Sequence, residues 1–65
     1  MKIWSYDIWD GKKGIIFAET EENAKRIYKK NYDAPIADGN YDSGMCQIDE
    51  IGEYNGGETI MFLWD

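Results

Sequence analysis

The residues with chemistry to offer in this chain are mostly carboxylates. Thirteen Asp and Glu stand against seven Lys and Arg in 65 residues, with one cysteine and no histidine. Without an imidazole there is no side chain whose ordinary pKa lies near neutrality to serve as a general base. Cys46 has no basic neighbour in sequence to lower its pKa and falls on an apolar segment, which fits a buried thiol better than a nucleophile. Asp49, Glu50 and Glu53 could form an acid and base pair, but acids at this spacing on a strand and its turn also make a solvated edge that discourages aggregation. Gly11-Lys12-Lys13-Gly14 is too short to cradle a phosphate and opens no helix. These residues therefore argue against an enzyme and for a binding protein.

Two metal chemistries can be weighed. A zinc site of the usual Cys and His type cannot be assembled from one cysteine and no histidine. Asp38-Gly39-Asn40-Tyr41-Asp42 matches the opening Asp-x-Asn-x-Asp of a calcium loop spanning 38–49. The rest departs from that pattern, since Ser43 stands where the turn glycine belongs and Asp49 stands where a bidentate Glu should close the loop. Calcium binding is kept as a third reading, and no cofactor is implied.

Charge is divided sharply along the chain. All seven bases, Lys2, Lys12, Lys13, Lys25, Arg26, Lys29 and Lys30, lie within the first thirty residues, where five acids accompany them. From Asn31 onward come eight acids and no base. Such a field repels phosphates, which argues against direct nucleic-acid binding, and attracts basic surfaces. In size, in acidity and in its wealth of Tyr and Trp, the chain resembles the small inhibitor proteins of phages and mobile elements, anti-CRISPR proteins among them. The likeness is one of size and charge and brings no site residues with it.

The elements that position these groups follow from periodicity. Lys2–Trp9 alternates with strand period, Asp10–Gly14 supplies a turn, and Ile15–Ala18 returns antiparallel. Thr20 caps a helix whose first turn holds Glu21 and Glu22, whose apolar side is Ala24, Ile27 and Tyr28 with Tyr32 as a candidate to extend it, and whose end holds Lys29 and Lys30. Pro35 requires that the helix be over by about Asp33. Asp33–Gly44 has the composition of a loop. Met45–Ile51, running on toward Tyr54, and Thr59–Trp64 read as a third and fourth strand, joined by Asn55-Gly56-Gly57 as a hairpin turn. The expectation is one domain over 1–65, an α+β two-layer sandwich of order ββαββ with one helix on a four-stranded antiparallel sheet.

One helix covers one face of such a sheet, yet strands one and four carry large apolar residues on both faces. Either the 33–44 loop folds over the second face or another chain does. The leading reading is a protein-binding module, a small acidic inhibitor or nucleic-acid mimic directed at a protein with a basic surface, with Trp4, Tyr41, Tyr54 and Trp64 as anchors and Asp38, Asp42, Asp49, Glu50, Glu53 and Glu58 as the steering field. The alternative is a self-associating domain whose open sheet face is a homodimer interface. Ser5, Tyr6 and Asp7 interrupt any apolar run near Met1, and the lone cysteine suits a reducing compartment, so no membrane association and a cytoplasmic location are expected.

Overall fold

The computed structural model describes residues 1–64, apart from the side chain of Trp64. Five elements follow in the order β1 (Lys2–Ile8), β2 (Lys13–Ala18), α1 (Glu21–Asn31), β3 (Cys46–Glu53) and β4 (Thr59–Trp64). The four strands form one antiparallel sheet in the spatial order β3-β1-β2-β4 with the single helix packed against it, an α+β arrangement. No helix among the described residues is long and apolar enough to cross a membrane.

The helix forms where its capping residues place it. Thr20 is extended, and its hydroxyl accepts from the Asn23 N–H at 3.1 Å, satisfying one of the unpaired donors of the first turn. Glu21 and Glu22 lie at the positive end of the helix dipole, and Lys29 and Lys30 at the negative end. Ala24, Ile27 and Tyr28 are the buried stripe.

That stripe meets one face of the sheet. Trp4 lies opposite Ile16, Tyr6 opposite Ile48, Ile8 opposite Cys46, and Ile16 opposite Ile60, so these side chains share the helix side. Tyr6, Tyr28 and Tyr32 form a ring cluster with centroids 5.3 to 6.0 Å apart, and the Tyr6 and Tyr32 hydroxyls meet at 3.0 Å. Among the described residues no buried side-chain polar atom lacks a partner. A core rich in tyrosine can therefore close without stranded hydroxyls.

Two turn readings are corrected by the pairing. The β1–β2 turn is tighter than Asp10–Gly14: Gly11 N–H donates to Ile8 O at 2.8 Å, Ile8 N–H donates to Lys12 O at 2.9 Å, and Asp10 takes φ 60°. Lys13 and Gly14 belong to β2. Gly14 is buried opposite Tyr6, and a Cβ there would collide with the Met61 carbonyl and the Tyr6 ring, so the strand needs a residue with no side chain at this point.

Asn55-Gly56-Gly57 does not close a hairpin. β3 pairs with β1 and β4 pairs with β2, so the two lie on opposite edges and residues 54–58 cross the end of the sheet. The span is three strand spacings, about 14 Å, and six peptide steps reach roughly 20 Å. The crossing is tied down where Tyr54 N–H donates to Met1 O at 2.7 Å.

The 33–44 segment is a loop, as its composition predicts, but it does not cover the open sheet face. It is bound along the start of β3, with Cys46 N–H donating to Pro35 O at 2.8 Å and Ala37 N–H to Cys46 O at 2.7 Å. Ile36 packs into the helix-side core, and the Tyr28 hydroxyl holds Ala34 O at 2.8 Å. The open face is instead covered in part by the 54–58 crossing, where Tyr54 lies on Phe17 with centroids 4.3 Å apart.

Candidate functional site

The ten residues singled out from sequence fall into five places. Asp49, Glu50 and Glu53 are exposed on β3, an edge strand. Asp38 and Asp42 are exposed on the loop that precedes it, and Tyr41 is half-buried there. This loop packs against β3 and the first turn of α1, forming a groove whose lining includes Lys25, Ile36, Gly39, Tyr41, Ile48 and Asp49. The structure thus brings the loop acids and the strand acids onto one margin of the molecule. Tyr54 stands at the far end of that margin, 44% exposed, with one ring face on Phe17.

Three residues do not join them. Trp4 is 6% exposed, and its indole N–H donates to Ala18 O at 2.9 Å inside the core. Its expected role as an anchor is corrected: the strand alternation that put it with Tyr6 was right, but that face is the one the helix covers. Glu58 ends the crossing, next to β4 on the opposite edge, and pairs with Arg26 at 3.0 Å. Trp64 pairs with Lys13 through its backbone, and its side chain lies outside the described residues.

Trp9 takes the position that Trp4 was expected to fill. β1 ends at Ile8, so Trp9 stands beyond the strand ladder, 43% exposed, in edge contact with the Tyr41 ring at 5.0 Å. The Tyr41 hydroxyl donates to Asp7 O at 2.9 Å, fixing the ring pair against the end of β1. Partial burial, and then the carboxylates of Asp7 and Asp10, push this hydroxyl above its ordinary pKa. The signal in the sequence was the position of Trp9 at the end of the alternating Lys2–Trp9 segment, immediately before the turn at Asp10-Gly11.

Ion pairing leaves most of this margin uncompensated. Glu50 meets Lys2 at 3.4 Å, and Glu21 meets Lys25 at 3.2 Å. Among the described residues no ion pair involves Asp38, Asp42, Asp49 or Glu53. Nor do three or more acidic, Cys or His groups converge into a metal-holding cluster among them. The calcium loop reading gains no geometry: Tyr41, in the middle of the motif, is turned to Asp7, and Asp49 lies on the strand.

Cys46 is fully buried, and burial pushes its thiol above the ordinary range. Its neighbour Tyr28 is raised as well, by burial first and then by the thiol. A protonated, enclosed thiol is a packing group. Compared with known proteins, the chain matches no family model, no curated protein and no solved structure, so its function is argued from its own surface.

Proposed function

We propose that this chain is a protein-binding module, a small acidic inhibitor or adaptor that docks on the basic surface of a nucleic-acid-binding protein. The observation that carries the reading is the Trp9–Tyr41 ring pair, its indole exposed and its tyrosine half-buried, at the head of an acidic margin, with Asp38 and Asp42 exposed on the loop that carries Tyr41 and Asp49, Glu50 and Glu53 along the β3 edge. Aromatic residues on a rigid seat make anchors that lose little side-chain freedom on binding, and uncompensated carboxylates around them steer a basic partner into place. The margin runs along eight residues of β3 to Tyr54, about 26 Å.

The test is capture by a panel of purified basic nucleic-acid-binding proteins, with a duplex oligonucleotide as competitor. Binding to at least one member should fall as salt rises, should be displaced by the oligonucleotide, and should drop at least about tenfold in Asp38→Asn/Asp42→Asn/Asp49→Asn/Glu53→Gln. Trp9→Ala should weaken it by a similar factor while leaving the salt slope in place. Capture that ignores both the neutralised margin and Trp9→Ala would overturn the reading.

A further inference from the structure

We propose that β4 is a self-association edge: a second copy of this chain lays its own β4 antiparallel against it, joining two four-stranded sheets into one of eight. The two edges of the sheet are built differently. On β3 the first residue is covered by the Ile36 bridge, and the remainder carries Asp49, Glu50 and Glu53. From Thr59 to Trp64, β4 has no charged residue at all. It is the last strand in the sheet order, so among the described residues no further strand pairs with its outer backbone groups. Met61, Phe62 and Leu63 are 47%, 50% and 58% exposed along it. Charge, covering segments and bulges are the usual means of keeping such an edge solitary. Here only the last of these is present, a register shift opposite Lys13 and Gly14, and it leaves the ladder regular from Thr59 to Phe62.

A second copy fits this edge because the strand is self-complementary about a two-fold axis and brings no like charges together along its length. A two-fold axis normal to the sheet pairs residues of like facing, as antiparallel strands require. Centred on Met61, it sets Ile60 against Phe62 of the second copy and the reverse, both on the helix side where Phe62 already touches the Tyr32 ring edge-on at 6.2 Å. Each copy carries a net charge of −6, which opposes association in general. The β4 pairing is the edge pairing that minimises this cost. It leaves the two β3 strands at opposite ends, seven strand spacings or about 34 Å apart, several times the screening length of about 8 Å at physiological salt. Pairing through β3 would instead bring Asp49, Glu50 and Glu53 of both copies together. Because each β3 margin stays open in the dimer, the two surfaces can be used at once.

The mass of the full chain across a wide concentration range tests this. It should rise from 7.6 kDa toward twice that value. Added salt should strengthen the association, the opposite sign from binding at the acidic margin. Met61→Lys places two ammonium groups at the axis and should weaken association at least about tenfold, with circular dichroism confirming the fold. Ile51→Lys, at a site on β3 that is also about half exposed, should leave association unchanged. Amide exchange in the unaltered chain gives a reading independent of any variant: the outer amides of β4 should slow as concentration rises. A monomer at every concentration, a dimer that persists in folded Met61→Lys or is lost in Ile51→Lys, or β4 amides indifferent to concentration would each overturn the proposal.

Discussion

Tyr54, the first residue of the crossing between β3 and β4, lies on Phe17 of β2 with ring centroids 4.3 Å apart and planes at 37°. This contact is what makes Phe17 8% exposed on a face that no helix covers. Tyr54→Ala should expose Phe17 and cost roughly 1–3 kcal/mol, combining lost apolar burial with the ring contact. Tyr54→Phe should cost much less. Denaturant unfolding of both variants would check this, and equal losses would show that the ring contact is not what holds the crossing.

Gly14 makes a second prediction, because the space a side chain needs is filled by the Met61 carbonyl of β4 and the Tyr6 ring of β1. Gly14→Ala must push one of them aside. Overpacking of this kind typically costs about 1–3 kcal/mol, and here part of the obstacle is backbone. The loss should appear in thermal unfolding together with loosened β4 amides in hydrogen exchange.

Stability should also fall in alkali. Burial raises the pKa of the Cys46 thiol and of the Tyr28 and Tyr41 hydroxyls in the folded chain. A group whose folded pKa exceeds its unfolded value holds its proton longer when folded, so its stabilisation is complete below the unfolded pKa and is lost as pH climbs from there toward the folded one. The decline should therefore begin near the ordinary thiol value of about 8.5 and steepen past about 10, where free tyrosine ionises. Urea midpoints measured from pH 7 to 11 would show it. Cys46→Ala should remove the first part of the slope and leave the second.

Several features of this protein were decided by local chemistry and were readable without coordinates. The helix follows from Thr20, the acids after it, the Ala24-Ile27-Tyr28 stripe and Pro35, all of which act within a few residues of one another. The first strand follows from alternation, the other three from apolar runs set between turn residues, and the acidity from Asn31 onward follows from composition. What tertiary structure alone decided was which elements meet. Asn55-Gly56-Gly57 suits a hairpin and a crossing equally well, because turn residues specify backbone freedom and not the partner of the strand that follows. Pairing is set by long-range burial, which placed β3 beside β1 and sent β4 to the far edge. The same cause separated the two tryptophans of the first segment. Alternation shows that Trp4 and Trp9 face opposite ways, but only the docking of α1 makes one the core and leaves the other, beside Tyr41, at the surface.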